Sequence, residues 1–133
     1  MKAQLPMEMQ TLAPKLTFDE IDRQQKEWNR RALAVQRQAA RAFARLLTIA
    51  ERGETGQERR VACFVASCFN GHDYPYDLFD LRTFDVDISD DMLVCLDALR
   101  WAKADLHTLV PDGAARVVKV CMSHGIAAGS AQG

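Results

Sequence analysis

Nine aspartates fall between residues 72 and 105, and no other residues in the chain are so densely placed to do chemistry. They are Asp73, Asp77, Asp80, Asp85, Asp87, Asp90, Asp91, Asp97 and Asp105. Carboxylates are hard oxygen ligands of the kind that hold calcium. Asp85-Val86-Asp87-Ile88-Ser89 matches the first ligand positions of an EF-hand loop. The match then fails, because Asp90 stands where the loop needs glycine and Leu96 where it needs a bidentate glutamate. The same residues suit a helix start: Asp87 or Ser89 as cap, then Asp90 and Asp91 where the macrodipole favours negative charge. No metal or cofactor is expected.

Other catalytic groups are sparse. His72, His107 and His124 each stand alone, with no second ligand or base at helical spacing. Cys63, Cys68, Cys95 and Cys121 form no Cys-x-x-Cys pair and sit among apolar neighbours, as buried structural thiols do. No glycine-rich phosphate loop, Gly-x-Ser-x-Gly or His-Glu-x-x-His occurs. The expectation is a protein that is not an enzyme.

Charge is unevenly spread. Between residues 28 and 60, eight arginines stand against three glutamates, a local net of +5. Between residues 72 and 105, nine aspartates stand against three basic residues, a local net of −6. Arg23, Arg30, Arg37, Arg41, Arg45 and Arg52 recur at spacings of seven and four, which on a helix makes a basic stripe beside the apolar one. Arg30, Arg37, Arg41 and Arg45 are the candidates for contact with phosphates or an acidic partner. Gln57, Arg59 and Arg60, just after a glycine-bearing turn, are residue types a helix-turn-helix reader would use. Asp73, Asp77, Asp80 and Asp85 are the candidates for an acidic partner-binding surface. Arg59 or Arg60 is expected to pair with Asp80, Asp85 or Asp90 across the divide.

The elements that position these groups read as helices. Thr17-Phe18-Asp19-Glu20 is a capping box. Ile21, Trp28, Val35, Ala42 and Ile49 then recur every seven residues, with Gln25, Ala32, Ala39 and Leu46 four after each of the first four. The pattern predicts one long helix over residues 17–52, stopped at Gly53. Such a rod of roughly 54 Å would overhang a small domain and expose Ile21 and Trp28, whereas a break near Asn29-Arg30-Arg31 would remove the overhang; a homodimer through Ile21, Trp28 and Val35 is compatible with the reading. Thr55-Gly56-Gln57-Glu58 repeats the capping box and opens a second helix ending near Gly71. An irregular Asp-rich loop follows, with one short turn at Leu78-Phe79-Asp80-Leu81. Phe79, Leu81, Phe84, Val86 and Ile88 are expected to plug the core. A third helix begins near Asp87 or Ser89 and runs to about His107, and a fourth runs from Pro111-Asp112-Gly113 to Gly125. The fold class is all-α, a small bundle of about four main helices. Residues 1–16 read as a flexible arm, 17–124 as a single helical domain with its core at 42–124, and 125–133 as a flexible tail.

The chain has 133 residues, 48% hydrophobic and 26% charged, ordinary values for one globular domain. Pro6 and Glu8 break what would be the apolar region of a signal peptide, and no apolar run approaches the roughly 20 residues of a membrane span. A cytoplasmic location away from membranes is expected.

Thr55-Gly56-Gln57-Glu58-Arg59-Arg60-Val61-Ala62-x-Phe64, then Phe79-Asp80-Leu81 and Ile88-Ser89-Asp90-Asp91-Met92-Leu93, carry a resemblance. Over roughly residues 42–122 the chain resembles an uncharacterised family of small proteobacterial proteins often carried on integrative elements and plasmids. The resemblance implies a bacterial mobile-element context and no catalytic residues. The expected function is a non-catalytic protein–protein interaction module acting through the acidic surface, an anti-CRISPR-like inhibitor of a host defence complex being one form. The alternative is a nucleic-acid-binding accessory or regulatory protein that uses the arginine stripe.

Overall fold

The computed structural model describes residues 16–53, 56–101 and 103–129. Thr55, residues 1–15 of the expected arm and residues 130–133 of the expected tail lie outside the described residues, whereas residues 125–129 of that tail are described, with Ile126 packed against the core and its N–H donating to the Cys121 carbonyl at 2.8 Å. Four main helices follow in order: α1 (Phe18–Arg52), α2 (Gly56–Phe69), α3 (Val86–Trp101) and α4 (Gly113–His124). Short 3₁₀ segments, Leu78–Thr83 and Leu106–Leu109, flank α3. No strand occurs among the described residues, so the molecule is an all-α bundle with a long first helix.

The capping box at the start of α1 forms in both directions. Glu20 N–H donates to Thr17 Oγ1 and Thr17 N–H donates to Glu20 Oε2, each at 3.1 Å, satisfying two donors that a helix start leaves unpaired. The helix then runs 35 residues. The chain divides into two compact units, Met1–Arg31 and Ala32–Gly133. The described residues of the first are exposed throughout.

The second unit holds the core. From α1 it takes Ala32, Ala39, Ala42, Phe43, Leu46, Leu47 and Ala50, all buried. The buried face is therefore centred on Ala32, Ala39 and Leu46, and the series through Val35, Ala42 and Ile49 forms its edge, where Val35 and Ile49 are half-buried. Val61, Phe64 and Val65 of α2, Met92 and Cys95 of α3, and Val117 and Val120 of α4 complete the interior. The second 3₁₀ segment contacts α2, α3 and α4, with Leu106 buried at its start. This segment is separate from α3, which ends six residues before His107. His107 instead meets Phe69 edge-on, ring centroids 4.8 Å apart.

Local geometry closes the turn into α4. Asp112 takes a left-handed conformation (φ 56°), and Gly113 N–H donates to the Val110 carbonyl at 3.0 Å. Gly113 is buried, and a Cβ there would overlap the His107 carbonyl. At the other end, left-handed Gly125 caps α4 through N–H bonds to the Cys121 and Met122 carbonyls. Buried His124 donates Nε2–H to the Ala50 carbonyl at 2.8 Å, and its own carbonyl accepts from Arg59. The Arg116 guanidinium clasps Glu51 bidentately at 2.9 and 2.7 Å. The last turn of α1 and both ends of α4 are thereby tied together.

Two outcomes follow from these contacts. Gly113→Ala forces backbone apart at a packed turn and should cost about 1–3 kcal/mol, the range for overpacking, read as a lowered urea midpoint. The hydrogen bond from Arg116 holds the Glu51 carboxyl below its ordinary value of 4.5. A depressed folded-state value means the stabilisation is complete above 4.5 and is lost as pH falls through the lower folded value. Glu51→Gln should therefore melt below wild type at neutral pH, with the gap closing in acid; a gap independent of pH would refute the pairing.

Candidate functional site

The arginine stripe and the aspartate cluster meet where α1 runs beside α3. Arg45 donates Nε–H to Asp91 Oδ2 at 2.8 Å and Nη2–H to Asp91 Oδ1 at 2.7 Å. This bidentate bond raises the Arg45 guanidinium above its ordinary value. The contact across the basic–acidic divide is thus made by Arg45 and Asp91, and not by Arg59 or Arg60. Arg59 is engaged with the His124 carbonyl, and the Arg60 guanidinium lies 5.6 Å over the Phe84 ring. Gln57 is also committed, its Oε1 accepting the Asp85 backbone N–H at 3.2 Å. All three residue types that suggested base reading are turned to internal use.

The remaining stripe residues differ among themselves. Arg30 pairs with Glu27 at 3.0 Å on the exposed first part of α1. Arg37 and Arg41 are exposed and form no ion pair among the described residues. Of the stripe's four candidate residues, two are therefore already neutralised by carboxylates. For the dimer candidates, Ile21 and Trp28 are 42% and 51% exposed, whereas Val35 packs against the core.

The acidic candidates are arranged along an irregular connection. Asp73 is half-buried and locked to Asn70: Asn70 Nδ2 donates to its Oδ2 at 3.0 Å, and its own N–H donates to Asn70 Oδ1 at 3.1 Å. Asp77 caps the first 3₁₀ segment by accepting the Phe79 N–H at 2.9 Å. Asp77 and Asp80 flank Tyr76, which stacks edge-on against Phe64 at 5.4 Å. Burial, reinforced by the Asp80 carboxylate, pushes the Tyr76 hydroxyl up to about 12. Asp85 is exposed, and its carbonyl accepts the Ile88 and Ser89 N–H groups that begin α3. Asp73 thus serves the turn after α2, and Asp77, Asp80 and Asp85 lie together around the 3₁₀ segment.

Sequence reasoning assigned Phe79 and Val86 to the core, and the structure reverses this. Phe84 is buried and Leu81 and Ile88 are half-buried, but Leu78, Phe79 and Val86 are 63%, 72% and 71% exposed. For Phe79 the reason is the 3₁₀ geometry, in which residues three apart eclipse, whereas Val86 is the first residue of α3, outside that segment. Phe79 shares its direction with Arg82, whose guanidinium lies 5.3 Å over the Phe79 ring. The Asp77 cap was the available signal, because it starts the segment's register two residues before Phe79.

The cysteines offer no nucleophile. Cys63 and Cys68 are half-buried, and Cys95 and Cys121 buried. Burial raises all four thiols, Cys68 to about 12, so each holds its proton at neutral pH. No group of three or more His, Cys, Asp or Glu side chains converges on a metal position among the described residues. No helix of the described residues is long and apolar enough to cross a membrane.

No curated protein and no solved structure matches the chain. A family model does, over residues 40–125, a span that takes in the α1 face from Ala42 onward, the acidic connection and the whole of α3 and α4. The chain belongs to this family of unknown function, DUF7673.

Proposed function

We propose that the chain is a non-catalytic protein-interaction module whose working surface is the 3₁₀ segment and the start of α3. One observation carries the reading. Over residues 77–90, the exposed side chains of Leu78, Phe79 and Val86 are interleaved with five aspartates and one arginine. Exposed apolar side chains set among charges are what an interface core with a polar rim requires. A bare phosphate mimic would need the carboxylates alone, and it would gain nothing from an exposed Phe79. The resemblance to mobile-element proteins directs this reading to a host defence complex, which the module would inhibit by occupying a surface, as an anti-CRISPR protein does. The same reading assigns the chain no enzymatic role and no cofactor.

The nucleic-acid alternative has less in its favour, because Asp91 already holds Arg45 bidentately and Glu27 pairs with Arg30, which leaves only Arg37 and Arg41 of the four stripe candidates open to a phosphate.

The test is a pull-down of the tagged chain from a bacterial host with nuclease treatment, in parallel with the Leu78→Ser/Phe79→Ser double variant. Both side chains are largely exposed, so folding stability should stay within about 1 kcal/mol of wild type. A stoichiometric, nuclease-resistant protein should be captured by wild type and lost by at least tenfold from the variant. Recovery of nucleic acid that disappears at moderate salt would favour the arginine stripe instead.

A further inference from the structure

We propose that the groove between α1 and α3 is a homodimer interface, in which a second copy of this chain sets its arginine edge on the aspartate edge of the first. The groove shares Asp87 and Asp90 with the surface around Phe79 but does not include Leu78, Phe79 or Val86. An open groove of about 650 Å³ lies between the two helices. Its floor is apolar and small, made by Ala44, Ile49 and Ile88. Arg45 and Asp91 neutralise each other at one end of the groove, which extends from there toward Arg52 on α1 and Asp87 on α3. What remains on the two sides is opposite in sign. Arg52 lines the α1 side, and Arg41 lies one helical turn before Arg45, just beyond that end of the groove. Asp87 and Asp90 line the α3 side. None of these four makes an ion pair among the described residues, and Arg41, Arg52, Asp87 and Asp90 are all exposed. Leu93, 56% exposed and three residues beyond Asp90 on α3, adds apolar surface beside the aspartate edge.

A surface that is basic on one side, acidic on the other and apolar between is complementary to itself. Turning a second copy by half a turn about an axis along the groove places each arginine edge on the partner's aspartate edge. Both edges are then matched at once, the condition for a closed two-fold interface. An external basic partner would satisfy only the aspartates and an external acidic partner only the arginines. A second copy satisfies both, and the whole chain remains near neutral, at a formal −1. Attraction between the edges makes the association sensitive to salt, because exposed charges are screened over about 8 Å at physiological ionic strength.

Sedimentation from about 1 μM to about 1 mM, the range in which weak specific complexes dissociate, reads the outcome. Wild type should pass from monomer to dimer, and the midpoint should move to higher concentration with added salt. Arg41→Asp/Arg52→Asp makes both edges acidic, and Asp87→Arg/Asp90→Arg makes both basic. Each double variant alone should stay monomeric over the whole range. An equimolar mixture of the two should recover a dimer, now a heterodimer, at a midpoint within about tenfold of wild type, roughly 1.4 kcal/mol. Two variants that had lost their fold could not restore it, so the mixture separates repulsion from unfolding. Should Asp87→Arg/Asp90→Arg fail to fold, the single variants Asp90→Arg and Arg52→Asp give the same comparison. A monomeric wild type throughout, or a dimer that survives both swaps and dissolves with Trp28→Asp, would overturn the proposal.

Discussion

Burial of one face of α1 is the constraint on which the remainder depends. Ala32, Ala39, Ala42 and Ala50 are interleaved there with Phe43, Leu46 and Leu47, and every one of these side chains is buried. Small side chains let helices approach closely, and large ones between them fill the space. The same alternation continues on α2, where Ala62 and Ala66 are buried beside Phe64. With one face of α1 fixed inward, its arginines at spacings of seven and four are forced outward. The polar surface is therefore a consequence of the core, and its working regions are those the core leaves uncovered.

The charge pattern gains its meaning from that placement. Stretches of +5 and −6 along one chain could have closed on each other as an internal network. Among the described residues they close at one bidentate bond, Arg45 to Asp91, while the pair at the α1–α4 end joins Glu51 to Arg116, which lies outside both stretches. Exposed ion pairs are individually worth little, about 0–1 kcal/mol. Their contribution here is to position, setting the start of α3 against α1 and leaving Arg52, Asp87 and Asp90 unmatched along the groove between them, with Arg41 one turn beyond its end. The irregular connection before α3 is held by shorter-range devices: Asp77 on the Phe79 N–H, Gln57 on the Asp85 N–H, and Arg60 over Phe84.

What could be read from the sequence was what local chemistry decides. The Thr17–Glu20 capping box, the heptad repeat of α1, the glycine after α4 and the number of main helices all depend on residues within a few positions of each other. The pairings that define the surface do not. Arg45 and Asp91 are 46 positions apart, and Arg59 and the His124 carbonyl 65, with no local signal in either case. Phe79 and Val86 were misassigned because a short apolar run fixes no direction without a register. In a 3₁₀ segment, that register is three residues rather than the 3.6 of an α-helix. The end of α3 was placed too late for a related reason: Leu106 and Leu109 are apolar at helical spacing but belong to a separate turn.

Amide hydrogen exchange of the whole chain, with and without the captured protein partner, tests the central claim most directly. If the acidic, apolar connection is the working surface, protection on binding should concentrate in residues 77–90 and leave residues 30–41 at their unbound rates. Protection confined to residues 30–41, with 77–90 unchanged, would contradict it and place the function on the arginine stripe.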